Sequence, residues 1–131
     1  MPALALLLLT AVTAHPAASP VQGSWRNPSG TVVIAIDRCG GALCGTVKWA
    51  SAKAKADAKR GTAHLVGTRL LTGLTPDGAN HWKGDIFIPD LNMHGSAKLN
   101  LAGRNRLEVA GCKIGVCKTQ VWTRTAGKHP G

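Results

Sequence analysis

Four cysteines in two pairs of identical spacing are the residues best placed to do chemistry. Cys39 and Cys44, and again Cys112 and Cys117, are separated by four residues that include glycine. Across a glycine-containing turn, thiols at this spacing come within disulfide reach, because glycine takes the positive φ values that a tight hairpin tip requires. Structural zinc knuckles and dithiol redox centres usually place their cysteines two residues apart, and the redox centre adds a helix N-terminus that lowers the thiol pKa. An even set of thiols with no odd member therefore reads as a disulfide framework in an oxidising compartment. Three connectivities are open to four cysteines, and the two local pairings are favoured over the crossed ones. A loop this short gains about 2 kcal/mol from closure, so the bonds would fix hairpin geometry more than global topology.

Enzymatic arrangements are thin. The acidic residues (Asp37, Asp57, Asp77, Asp85, Asp90 and Glu108) are scattered, with no local pair suited to acid and base roles. His64, His81 and His94 show no metal-ligand spacing, and Ser24 in Gly23-Ser24-Trp25-Arg26-Asn27 lacks the second glycine of a nucleophile elbow. The expectation is a protein that is not an enzyme and carries no cofactor and no metal.

Trp25, Trp49, Trp82 and Trp122 supply nearly all the aromatic surface of a chain with one Phe and no Tyr. Ordinary core packing is one reading of them; a pocket lining is the other, since aromatics facing a barrel interior bind apolar or flat ligands. The candidate ligand-lining set is Trp49, Trp82, Ile86, Leu99, Leu107 and Trp122. Nucleic-acid stacking is not expected, because it wants aromatics interleaved with Lys or Arg on one exposed face, whereas most of these share a face with apolar residues.

The elements that must position these side chains are strands. Period-two alternation runs through Thr31 to Asp37, with Val32, Ile34 and Ile36 on one face, and through Gly45 to Trp49, with Val47 and Trp49 together. It continues with Trp82, Ile86 and Ile88, with Ala97, Leu99 and Leu101, with Leu107 and Val109, and with Val121 opposing Gln120 and Trp122. Turn chemistry at Pro28-Ser29-Gly30, Gly40-Gly41, Pro76-Asp77-Gly78 and Gly103-Arg104-Asn105 punctuates an antiparallel meander. About eight strands in so short a chain must hide their edges, which points to an all-β protein, a small antiparallel up-and-down barrel. Ala50 to Arg60 (ASAKAKADAKR) is the exception: helix formers without a β-branched residue or an apolar stripe beyond alanine, expected as a short solvated helix or loop excursion.

Ala3 to Val12 is an apolar run of the length of a signal-peptide core, too short to span a bilayer, and Val12-Thr13-Ala14 offers small residues for cleavage. The expected division is a signal peptide at 1–14, a Pro/Ala/Ser linker at 15–21, one barrel domain at 22–126 and a disordered tail at 127–131. The leader holds no charged side chain, so the net charge of +10 belongs to the mature domain and favours anionic neighbours. For an exported chain these are envelope lipid headgroups or polysaccharide before nucleic acid. Lys53, Lys55, Lys59 and Arg60 are the candidate contacts with such a surface.

A resemblance rests on five motifs in order: Gly23-Ser24-Trp25, Cys39-Gly40-x-x-Leu43-Cys44-Gly45, Gly67 with Leu70-Leu71, Trp82-Lys83-Gly84 followed by Ile86 and Pro89-Asp90, and Gln120-Val121-Trp122-Thr123-Arg124. Together they resemble the bacterial domain-of-unknown-function family 2147 from about Gly23 to Arg124. The resemblance implies a small exported protein of the bacterial periplasm with a lipocalin-like (calycin-like) barrel and a ligand pocket. It also implies that Trp25, in a Gly-x-Trp first strand, is covered by Arg124 from the last strand, a barrel-closing stack that leaves the opposite mouth for a ligand. Two departures stand out: Ala50 to His64 is Ala/Lys-rich where the family has an Asp/Asn/Pro-containing loop, and Ile88 replaces the aromatic before Pro89-Asp90.

The functional expectation is a periplasmic module binding an apolar or amphipathic small molecule. The alternative is a solid-core structural or interaction protein of the envelope. Inward-facing small residues such as Ala35, Ala97 and Gly111 would leave space for a ligand, whereas inward tryptophans and leucines would fill it. Oligomeric state is not legible.

Overall fold

The computed structural model describes Ala3 and residues 18–126. The expected signal peptide (1–14), the linker residues 15–17 and the tail (127–131) therefore lie outside the described residues, Ala3 apart. Eight strands form one closed antiparallel barrel in sequence order: β1 (Gly23–Arg26), β2 (Val32–Cys39), β3 (Ala42–Ala50), β4 (Arg69–Pro76), β5 (His81–Ile88), β6 (Met93–Leu101), β7 (Arg106–Lys113) and β8 (Val116–Thr125). The up-and-down topology follows from short turns joining consecutive strands, each of which alternates one face inward.

β3 and β4 are joined by the longest excursion, the helix α1 (Ala52–Asp57) and a 3₁₀ turn (Ala58–Arg60). Ser51 caps α1, its Oγ accepting from the backbone N–H of Ala54 at 3.1 Å. The segment is not the fully solvated helix expected from sequence. Ala54 and Ala58, one helical turn apart, are buried in the core cluster, while Lys53, Lys55, Lys59 and Arg60 stay exposed. The 3₁₀ turn packs on a second one, Pro89–Leu91, between β5 and β6. Their approach needs Gly61: a Cβ there would lie 2.6 Å from both Cα and O of Pro89.

The lower half of the barrel is filled by Trp25, Leu74, Trp82, Leu99 and Leu107, all buried. Val21 is fully buried with them, so the expected linker gives way to the domain before its last residue. The Trp25 indole N–H donates to the Val21 carbonyl at 2.9 Å, tying the incoming chain to the core.

One face assignment changes. Across β2 and β3, Val33 pairs with Trp49 but Ile34 with Val47, leaving Lys48 as an extra residue. This bulge turns Trp49 away from the face of Val47. Val47 is in the inner cluster; Val33 is buried but absent from it, and it shares the outer face with Trp49. Ala35, between the inward Ile34 and Ile36, also faces outward. Trp49, expected among the ligand-lining residues, is therefore not in the inner set, and of the three small residues that would leave space if they faced inward, Ala35 does not.

Candidate functional site

Two ends of the barrel differ. At the base, β1 pairs with the end of β8 through Trp25 opposite Arg124. The Arg124 guanidinium lies over the Trp25 ring, 4.3 Å from its centroid. Three carbonyls hold it there: its nitrogens donate to Pro20 O at 2.7 Å, Gln22 O at 2.8 Å and Arg104 O at 2.9 Å. Indole below, guanidinium above and backbone around make a closed floor on that side. A groove of about 500 Å³ beside Pro20, Asn80, Leu101 and Arg104 runs along the outside of this seal.

At the other end the barrel is hollow. A cavity of about 680 Å³ opens among the β1–β2 loop, α1, the Pro89–Leu91 turn and the upper strands. That volume is within the range of small-molecule pockets. Its apolar wall comes from β2, β4, β5 and β7: Ile34, Leu70, Leu71, Ile86, Ile88 and Val109. Two small inner positions, Ala97 and Gly111, face each other across β6 and β7, and Gly111 opens directly on the cavity. Its other side is polar. On β8 the residues sharing a face with Trp122 are Gln120 and Lys118, both lining the cavity.

Strand lengths explain why that side is accessible. β1 reaches β8 only over Thr123–Thr125, so residues 116–122 of β8 are laddered to β7 alone. The β1–β2 loop spans the seam. Asn27 builds it: its Oδ1 accepts from the backbone N–H of Thr31 at 2.8 Å and of Val32 at 2.9 Å, and its Nδ2 donates to Ser29 Oγ and Thr31 Oγ1.

Of the six candidate ligand-lining residues, Ile86 and Trp122 border the cavity. Trp82, Leu99 and Leu107 belong to the solid half below it, and Trp49 lies outside the barrel for the reason given by the bulge. Trp122, 7% exposed, is where hollow and solid meet; its buried indole N–H has no acceptor among the described residues. Sequence reasoning missed Lys118 and Gln120. The signal was their period-two relation to Trp122, outweighed by the habit of assigning polar residues to the outside.

The cysteines sit at disulfide distance as Cys39 with Cys44 and Cys112 with Cys117, each spanning a hairpin tip. The first hairpin is on the base side, the second beside the mouth. Of the basic candidates, Lys53 is engaged: its ammonium donates to Asp57 Oδ2 at 2.8 Å, one helical turn away. That hydrogen bond and the Asp57 charge raise the Lys53 pKa above the ordinary lysine value. Phe87 stacks on His94 with ring centroids 4.6 Å apart. Among the described residues, no group of three His, Cys, Asp or Glu side chains could hold a metal ion.

The barrel has a solved counterpart. Protein HP1028 from the human pathogen Helicobacter pylori, described as belonging to the lipocalin family, superposes with a TM-score of 0.61 at 14% identity, covering 81% of this chain and 83% of that one. At that identity the likeness concerns the fold. No curated protein matches the sequence. A family model matches residues 23–124, the span from the start of β1 to the arginine that seals the base, and the chain accordingly belongs to the bacterial family described as "uncharacterized protein conserved in bacteria" (DUF2147).

Proposed function

We propose that this protein is an exported binding module that holds an apolar or amphipathic small molecule in the upper half of its barrel. The observation that carries the reading is the cavity of about 680 Å³ above Trp122, open at the end opposite the Arg124–Trp25 seal and walled by aliphatic side chains. The solid-core alternative requires the lumen to be filled on both sides of Trp122. Aliphatic surface left open to water represents about 25 cal/mol per Å² of unrealised burial, which an apolar ligand would recover. Export is supported by the apolar leader and by two local cysteine pairs, which persist as disulfides in oxidising compartments. The exposed Lys55, Lys59 and Arg60, with a net charge of +10, support weak contact with anionic envelope lipid or polysaccharide.

Native mass spectrometry of the purified protein tests the reading, paired with titration of a neutral lipophilic dye, Nile red. The expected result is a co-purifying small molecule, or saturable dye binding that Gly111→Leu removes. The atoms nearest a Cβ at Gly111 are side-chain methyls, Ile86 Cδ1 at 3.3 Å, Ile86 Cγ2 at 3.5 Å and Ile88 Cδ1 at 3.7 Å, so the larger side chain is directed into the cavity and not against backbone. Dye binding that survives Gly111→Leu in a folded variant sinks the reading.

A further inference from the structure

We infer that the cavity is built for an anionic amphiphile, with the acid group held by Lys118 and Gln120 near the mouth and the hydrocarbon tail laid along the aliphatic wall toward Trp122. The inference rests on the cavity reading above and adds the ligand's charge and orientation. Three observations lead to it.

The first is position. Lys118, Gln120 and Trp122 are consecutive inward residues of β8, and all three line the cavity. At about 3.3 Å per residue, the row from Lys118 to Trp122 runs roughly 13 Å from mouth to floor. Opposite Lys118 on β7 stands Gly111, and opposite Gln120 stands Val109. The lysine therefore faces a position with no side chain, and open lumen adjoins its stem.

The second is charge. Lys118 is the one charged residue that the barrel strands contribute to the cavity lining; the others, Lys53, Asp57 and Asp90, lie on the cap formed by α1 and the Pro89–Leu91 turn. Lys53 and Asp57 satisfy each other. Asp90 belongs to the cap and leaves the β8 row without an acid.

The third is unused hydrogen-bonding capacity. Among the described residues, the side chain of neither Lys118 nor Gln120 makes a hydrogen bond or ion pair. Both side chains are exposed at the mouth, so a neutral apolar ligand leaves this ammonium and amide to water and gains nothing from them. A carboxylate or comparable acid head returns a charge-assisted hydrogen bond to Lys118 and an amide N–H from Gln120. Its tail meets Leu70, Leu71, Ile86 and Ile88.

The experiment displaces Nile red with three probes of one tail length, each below its micelle concentration: dodecanoate, methyl dodecanoate and dodecyltrimethylammonium. Dodecanoate is expected to bind about tenfold tighter than the ester, and the ammonium weakest. Lys118→Gln should cost dodecanoate about tenfold and leave the ester unchanged, while Lys118→Arg keeps the preference. A Lys55→Gln/Lys59→Gln variant removes cap charges that do not line the cavity and should change neither ratio. Equal binding of acid and ester by the unmodified protein, or equal loss of both in Lys118→Gln, overturns the inference while Nile red binding and its block by Gly111→Leu leave the cavity reading standing. If no Nile red binds and no small molecule co-purifies, both fall.

Discussion

Arg124 covers the ring of Trp25 at 4.3 Å while donating three hydrogen bonds to backbone carbonyls of two other segments, 18–22 and the β6–β7 turn. One side chain thus closes the barrel, anchors the segment entering β1 and fixes a turn. Its aliphatic stem and planar fork suit this better than a lysine would, because the guanidinium stacks and donates in several directions at once.

Arg124→Ala is accordingly expected to lower stability by about 2 kcal/mol, from the lost stack and from carbonyls left with only water as donor. Arg124→Lys should recover less than half of the loss. Urea denaturation measures both, and a double-mutant cycle with Trp25→Ala isolates the stack. Full additivity in that cycle would show that indole and guanidinium do not interact.

Gly61→Ala should destabilise by about 1–3 kcal/mol, since the new Cβ would press on the Pro89 backbone rather than on a flexible side chain. The damage should be local. Hydrogen exchange is expected to quicken in α1 and the two 3₁₀ turns while strands β6 to β8 stay protected. Unchanged exchange in the cap would mean that the two turns are not packed as described.

The barrel was legible because six of its strands carry a period-two pattern, and β5 to β7 pair without a register break. What the sequence hid follows from single residues. The extra residue at Lys48 reverses the face of Trp49, and such a bulge depends on the register of the partner strand, which no local pattern carries. Val21 read as linker because one buried valine among Pro and Ser has no periodicity. Ala54 and Ala58 read as solvated because alanine marks no apolar stripe, although small side chains are what lets α1 lie close on the barrel. The polar row of Lys118 and Gln120 was concealed by its own composition. It faces inward because Trp122 sets the parity of the strand, and the short β1 leaves the seam that keeps it wet.

Non-reducing peptide mapping of the natively purified protein is expected to yield two cross-links, Cys39 with Cys44 and Cys112 with Cys117, and no free thiol. Removing the second by Cys112→Ser/Cys117→Ser should cost about 2 kcal/mol. Its hairpin tip has least else to hold it: Ile114 is 93% exposed with φ of 51°, a backbone conformation that β-branched residues avoid. A cross-link joining the two hairpins would defeat the prediction.

The last prediction concerns the cations of the cap. Lys53, Lys55, Lys59 and Arg60 are all exposed, but Lys53 is neutralised by Asp57, so the charge available to an anionic surface resides on the other three. Screening confines its reach to about 8 Å at physiological ionic strength, which only contact with a dense anionic surface can use. Vesicles containing anionic lipid are expected to bind the protein weakly, with steep loss on adding salt, and neutral vesicles not to bind it. Lys53→Gln should weaken binding by leaving the Asp57 carboxylate uncompensated, and Asp57→Asn should strengthen it by releasing the Lys53 charge. Replacing all four cations by Gln should abolish it. Sedimentation with vesicles at two salt concentrations reads each outcome. Binding that is indifferent to both Asp57→Asn and the fourfold replacement would assign these lysines to solubility alone.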